Sequence, residues 1–397
     1  MSSAERATPL RPLAGLRVLA VETFAAGPYG TMFLAQLGAE VIKIENGTAG
    51  GDPARYTGPP LGQADCEYFQ TWNLNKRSVA LDLKSEAGRV AFLALAREAD
   101  AVVNNLRGDL PAALGLDYAS LSKVNPRIVC LHISAYGRDN SRAAWPGYDY
   151  LMQAESGLMD LTGEPDGPPS RFGAPSMIDH MTGVTAMVGL LAALMGARAS
   201  GVGCDVDASL LDVALHQLGY AAIWYLNEGL RLTRLSHSAH FAVGPVQTVR
   251  TQDGWIFLMC MTDKFWLELT DALGRADLRA DPRFASPQSR HAHRAALTQS
   301  LEQELRRAPT REWLKRLEGR VPVGPVLDVA AALESDFVKE AGMIQRVPHP
   351  AREDFRVLGN PLKINGERLD LKVCAPLGAD NAALLEEAPA HREEMGR

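Results

Sequence analysis

An α/β fold is predicted by three features of this sequence. Its 397 residues exceed what one hydrophobic core holds. Short apolar strands alternate with amphipathic helices from Leu16 to Ser134, which implies a doubly wound, mostly parallel, Rossmann-like large domain. From Val246 the periodicity changes to two, which starts a smaller α/β domain.

Leu16–Val21 reads as a buried strand, Ala25-Ala26-Gly27-Pro28 as a turn, and about Tyr29 to Leu37 as a helix that Gly38 ends. Glu40–Glu45 is the second strand and completes a βαβ unit. Gly27 and Gly30 lack the spacing of a dinucleotide fingerprint and no P-loop pattern occurs, so a nicotinamide cofactor is not indicated. A loop rich in Gly and Pro (46–62) precedes a strand at Ser78–Leu83 and a helix from Ser85 to Ala99. Strands at Asp100–Asn104 and Arg127–Ser134 follow, with a helical stretch near Tyr118 to Val124 between them. Ligands of such sheets bind beyond the carboxyl ends of the strands. Lys76, Arg77 and Arg107 lie in loops or lead-ins there, and each reads either as a solvated charge or as part of an anion site.

The stretch from Gly173 to Arg198 organises the rest. Between Gly183 and Gly196 the only polar side chain is Thr185, so this helix is expected to be buried. Asp179 stands at its head, where an N-cap and a functional carboxylate are both consistent with position. Cys204–Ser209 leads into a long helical stretch, about Leu210 to Leu230. After an irregular segment, Gln247–Thr251, a turn at 252–254 and Trp255–Met259 form a hairpin. Helices at Lys264–Leu273 and up to about Leu317, an exit at Arg320–Val326 and a helix at Val329–Glu340 follow, and the tail returns to the first domain. The division expected is 1–225 with 331–397 for the large domain and 226–330 for the small one.

Hydrophobic residues at 46% and charged residues at 22% are ordinary for a globular protein. A net charge of −6 with scattered Lys and Arg argues against a nucleic-acid partner. The five cysteines, Cys66, Cys130, Cys204, Cys260 and Cys374, form no CxxC pair, so neither a disulfide framework nor a metal site is expected, and a reducing cytoplasm fits them. The N-terminus lacks the apolar core of a signal peptide, and the run 183–196 is shorter than the ~20 residues that span a bilayer, so no membrane association is expected.

Several ordered segments carry a resemblance. Leu-Ala-Gly-Leu-Arg-Val-Leu (13–19), Leu-Gly-Ala-Glu-Val-Ile-Lys-Ile-Glu (37–45), Gly50-Gly51-Asp52, Asn75-Lys76-Arg77-Ser78 with Leu81-Asp82-Leu83, Asn105-Leu106-Arg107, Gly147-Tyr148-Asp149, Asp179 with Gly183, and Val323-Gly-Pro-Val326 resemble the signatures of family III CoA-transferases, the group of formyl-CoA and carnitine CoA-transferases. The likeness runs from Leu13 to Gly378. It implies an inserted small domain and a homodimer of two interlocked, ring-like subunits. It also implies that Asp179 is the nucleophile, that no cofactor is permanently bound, and that coenzyme A arrives as part of the acyl-CoA substrate with a small carboxylic acid as acceptor. The family's CoA loops fall on Phe24, Ala25 and Ala26, on Leu74, Asn75, Lys76 and Arg77, and on Asn105, Leu106 and Arg107.

A carboxylate suits this chemistry, because passing CoA between acids without loss to water calls for a covalent relay. Backbone N–H groups near the helix head are the expected oxyanion donors, and water must be kept out. The chain departs from formyl-CoA transferases at Ala25, Ala113 and Ser134, and Ser236–Gly244 replaces their glycine-run loop, which speaks against formate and oxalate. Succinyl-CoA as donor and a small dicarboxylic or branched acid as acceptor fit members without that loop. His237, His240 and Arg171 are candidates for the acceptor pocket, with plain surface roles as the alternative. Related 2-methylacyl-CoA racemases carry a histidine base where this chain has Tyr148, and a phenol is a poor substitute for that base. A non-catalytic acyl-CoA-binding subunit is the remaining alternative, and the intact Asp179 argues against it.

Overall fold

The computed structural model describes residues 11–386 except Ala174. Six strands form one all-parallel sheet: β1 (Arg17–Val21), β2 (Glu40–Glu45), β3 (Arg77–Ala80), β4 (Ala101–Asn104), β5 (Val129–Ser134) and β6 (Cys204–Ser209), in the order β3-β2-β1-β4-β5-β6. The order reverses between β1 and β4, which makes a topological switch point at the carboxyl ends of those strands.

The helices that matter to the site are α1 (Ala26–Gln36), α2 (Glu67–Asn73), α3 (Glu86–Arg97), the single turns α4 (Leu110–Ala113) and α5 (Tyr118–Leu121), α6 (Asp149–Ser156), α7 (Met177–Ser200) and α8 (Leu210–His216). Phe92 and Leu95 of α3 pack on Leu19, Ile42, Val102 and Cys130 of the sheet, joined by Leu384 of the C-terminal helix Asn381–Glu386. Helix α1 contacts β1, β2 and β4, and α7 contacts β5 and β6.

The structure differs from the sequence reading in several elements. Cys204–Ser209 is a strand, not a lead-in: Asp205 and Asp207 alternate with Val206 and Ala208, the period-two pattern of a sheet edge. The long helix expected after it is two, α8 and α9 (Tyr220–Glu228), broken at Gly219, whose φ of 53° and ψ of −127° no helix accommodates. Helix α2 was not anticipated. Helix α7 starts six residues before the apolar run and is 24 residues long, enough by length and composition to cross a membrane. It packs on α1, β5, β6 and α8. Its burial is one-sided: Ile178, Thr182, Ala186, Leu190, Leu194 and Ala197 form an inward stripe, while Val184, Val188 and Met195 are 44%, 66% and 74% exposed in the single chain.

The chain forms two compact units. Among the described residues, one takes those up to Ser156, those from Gly173 to Gln217 and those from Asp336 on, so residues 336–386 belong with the parallel sheet. Arg77 pairs with Asp380 at 2.9 Å, and the Ser78 N–H donates to the same carboxylate. The other unit takes Gly157–Phe172 and Leu218–Ser335. Its antiparallel sheet is β7 (Val246–Arg250), β8 (Trp255–Met259) and β9 (Val323–Pro325), the last supplied by the segment read as an exit. Its core gathers Val249, Ile256, Leu258, Trp266, Phe284, Leu297, Leu301 and Trp313. The helix expected at Val329–Glu340 is two short ones, Val329–Leu333 and Asp336–Glu340, and the boundary between the units falls between them.

Candidate active site

A cavity of about 220 Å³ opens at the switch point. Thr23, Phe24, Ala25 and Ala26 line it from beyond β1, Asn105, Leu106 and Arg107 from beyond β4, and Ser134 and Ala135 from the end of β5. Trp145, Tyr148, Leu210 and Asp179 complete the wall. All of these belong to the first unit.

Two glycines bring Asp179 there. Helices α1 and α7 cross with their backbones in contact: a Cβ on Gly183 would stand 2.5 Å from the Ala26 carbonyl oxygen, and one on Gly30 would stand 2.7 Å from that of Gly183. Asp179, one turn before Gly183, is thereby set beside the head of α1. That head has no side-chain cap and no acidic residue in its first turn, and Pro28 has no N–H, so the Ala26 and Gly27 amides are the donors of that turn.

Asp179 is the third residue of α7 and not its cap. The residue before the helix, Ser176, is left-handed (φ 59°) and makes no capping bond. Asp149 caps instead, its Oδ2 accepting from the Ile178 and Asp179 N–H groups at 2.5 and 2.9 Å. These two amides of α7 are therefore occupied, which corrects the expectation that the head of Asp179's own helix supplies oxyanion donors. Burial above all, and the Asp149 charge next, push the Asp179 carboxyl up to about 7, against a smaller opposing effect of Ser176. The neighbouring His180 stacks on Tyr29 at 4.2 Å and lies 4.9 Å from Trp72, and burial lowers its pKa.

The turn after β1 is held by charges with no access to water. Lys76 Nζ lies 2.7 Å from Glu22 and also donates to the Pro28 and Trp72 carbonyls and to Asn73. Lys43 Nζ donates to the Glu22 carbonyl at 2.9 Å and lies 2.9 Å from Asp52. Asp52, from the Gly-Gly-Asp segment, accepts the N–H of Phe24, whose φ of 57° is strained for a bulky residue. Asn105 grips Thr23 from both sides, accepting its N–H at 2.9 Å and donating to its carbonyl at 2.7 Å.

Among the sequence candidates for CoA, then, Phe24, Ala25, Ala26, Asn105, Leu106 and Arg107 line the cavity. Leu74, Asn75, Lys76 and Arg77 do not. Leu74 is buried, Asn75 is bonded to the backbone of Asp370 and Lys372, Lys76 is fully enclosed, and Arg77 pairs with Glu40 and Asp380. Arg107 sits at the mouth, partly exposed and 2.6 Å from Asp109. Tyr148 is exposed and meets Phe24 edge-on at 6.4 Å. Arg171, His237 and His240 belong to the second unit. There the His237 N–H donates to Glu164 and its ring lies 5.9 Å from that of Trp255, while His240 Nδ1 accepts the Ala242 N–H. No three His, Cys, Asp or Glu side chains meet as a metal site needs among the described residues.

Sequence reasoning missed the capping role of Asp149, the clamp made by Asn105 and the enclosure of Lys76. The first was within reach, because Asp149 ends the Gly-Tyr-Asp segment and a carboxylate is a strong helix cap wherever in the chain it comes from.

Residues 13–381 match the model of CoA-transferase family III. The chain is 35% identical to acetyl-CoA:oxalate CoA-transferase of Acetobacter aceti over 92% of each chain. It is 36% identical to succinate–glutarate CoA-transferase of Agrobacterium fabrum over 84% of each. A crystal structure of a CaiB/BaiF family protein from Brucella suis superposes with a TM-score of 0.82 at 33% identity, covering 95% of this chain and 99% of that one. The chain belongs to CoA-transferase family III and is an acyl-CoA:carboxylate CoA-transferase.

Proposed function

We propose that the transfer runs through a covalent relay on Asp179. An Asp179 oxygen attacks the donor's thioester carbonyl, the C–S bond breaks, and a mixed anhydride and CoA thiolate result. The thiolate then attacks the aspartyl carbonyl, releasing the donor acid as its carboxylate and leaving an aspartyl-CoA thioester. The acceptor carboxylate attacks that thioester to give a second anhydride and thiolate, and the thiolate takes the new acyl group and frees Asp179. Bonds and charge balance over the cycle with no net proton.

The observation that carries this reading is Asp179, the one carboxyl group in the cavity wall among the described residues, set beside the uncapped head of α1. The Ala26 and Gly27 amides there are the donors we assign to the oxyanions. Phe24–Ala26 and Asn105–Arg107 flank the CoA chain, with Arg107 as the cation for a phosphate. Tyr148, in the cavity wall, is the acceptor-pocket residue we favour. Succinyl-CoA is the donor we favour, with a small dicarboxylic acid as acceptor. The relative named for succinate and glutarate supports this, while the one named for oxalate makes oxalate the first competitor to test. The working form is a homodimer of interlocked subunits.

Incubation with succinyl-CoA and no acceptor, a hydroxylamine quench and peptide mapping test the relay. The expected product is a hydroxamate on Asp179. Absence of any adduct with every acyl-CoA tried, together with α-proton exchange into deuterated water, would replace the relay by a racemase reaction.

A further inference from the structure

The first turn of α7 is capped from outside its own chain segment. Ser176 occupies the cap position without capping, and a carboxylate 30 residues upstream takes the Ile178 and Asp179 amides. Asp149 is 4% exposed, and its other oxygen accepts from Gln153 Nε2 at 2.6 Å. All three partners are donors, which suits an acceptor-only carboxylate, whereas none of them would take the O–H of a carboxylic acid.

We infer that Asp149 is a positioning residue for Asp179, holding the first turn of α7 in its place and setting, through its charge, the acid limb of the reaction's pH dependence. The inference rests on Asp179 being the nucleophile. A carboxylate three residues into a helix can fold back onto the cap amides, as in a capping box. With Asp149 already on two of those amides, the Asp179 carboxyl does not fold back onto them; it meets the Ser176 side chain and lines the cavity. The same bonds place a negative charge against the nucleophile, which adds to burial, the larger cause, in pushing the Asp179 carboxyl up to about 7.

The other titratable groups on elements packed about this turn are Tyr29 of α1, Glu67 and Tyr68 of α2, Tyr150 and Glu155 of α6, His180 of α7 itself, and Asp212 and His216 of α8, with Glu67 paired to Arg352. Burial raises both Tyr29 and Tyr68 and lowers His180, so these three are neutral at and above pH 7. Glu155 is engaged by Arg142 and Tyr136. Of the strands beneath, β5 brings His132 and β6 brings Asp205 and Asp207, with His132 and Asp205 2.8 Å apart.

The test is the pH profile of kcat/KM for Asp149→Asn and Asp149→Ser, two caps without charge, beside Asp149→Glu, which keeps it. The neutral variants are expected to move the acid-limb midpoint down by about one pH unit, with Asp149→Glu close to wild type. An unmoved midpoint in a folded neutral variant overturns the inference. If neither folds, the carboxyl carbon of Asp179 is titrated by NMR in the wild type, assigned with Asp179→Asn. A midpoint near 7, with the Asp149 carboxyl carbon titrating below it, supports the inference; a midpoint at the ordinary carboxylate value, or an Asp149 that titrates with or above Asp179, overturns it. The hydroxylamine adduct on wild-type Asp179 is read in parallel, so that failure of the relay and failure of the Asp149 role give different results.

Discussion

Asp179 combines a chemical requirement with a cost to the fold. Its raised pKa means that the folded protein holds this proton more tightly than the unfolded chain does. The stabilising contribution is complete at low pH and is lost as pH rises through about 7. Asp179→Asn is therefore expected to abolish transfer and to gain in Tm relative to wild type as pH goes from 5.5 to 8.5. Thermal scans at both values check this, and an advantage that shrinks with pH contradicts it. Lys76 and Arg107 make a second contrast. Both read from sequence either as solvated charges or as candidates for a phosphate, since a basic residue in a loop looks the same whether it meets solvent, substrate or a buried carboxylate. Lys76→Ala would leave Glu22 buried and unpaired, costing about 3–5 kcal/mol in denaturant unfolding. Arg107→Ala is expected to raise KM for acyl-CoA and to leave the denaturant midpoint close to wild type, because its pairing with Asp109 is exposed. Equal effects of the two on KM would return Lys76 to the CoA site.

At the scale of elements, the site depends on how closely α1 and α7 approach. A methyl on Gly183 would overlap the Ala26 carbonyl, and that atom is backbone, which cannot swing aside. Gly183→Ala is expected to cost about 1–3 kcal/mol and to lower kcat at least tenfold by moving Asp179 off the head of α1, with expression and oligomeric state retained. Crystallography or kinetics with a single acyl-CoA checks this, and wild-type kcat in Gly183→Ala would show that the crossing does not position the nucleophile. Much at this scale was legible. Glu40–Glu45 and the hairpin at 246–259 formed where apolar runs and a Gln-Asp-Gly turn placed them. Strand β6 and the start of α7 were not read, for opposite reasons. The Cys204–Ser209 alternation was present but too polar to suggest a strand of a parallel sheet, and Met177–Thr182 looks irregular because its cap, Asp149, lies outside the local sequence.

At the scale of the whole molecule, the single chain leaves an apolar helix half covered. The run at Gly183–Gly196 predicted a buried helix, and Val184, Val188 and Met195 instead face outward from the first unit. In the second unit, Ile223 and Leu226 of α9 are 57% and 73% exposed. Apolar side chains clustered on a helix surface mark an interface, and a second copy of the chain is the cover we propose for them. That exposure supports the proposed homodimer, and it gives a prediction that a simple side-by-side dimer does not share. Light scattering after gel filtration should return a dimer, and Val188→Glu with Met195→Glu should give monomer or aggregate, since each change acts twice across a twofold interface. If the subunits are interlocked, exchange requires one ring to open. Tagged and untagged dimers mixed under native conditions should then form no hybrid over many hours, while co-expression or refolding of the mixture should form it readily. Rapid hybrid formation without unfolding would leave a dimer but remove the interlock, and a wild-type monomer would remove both.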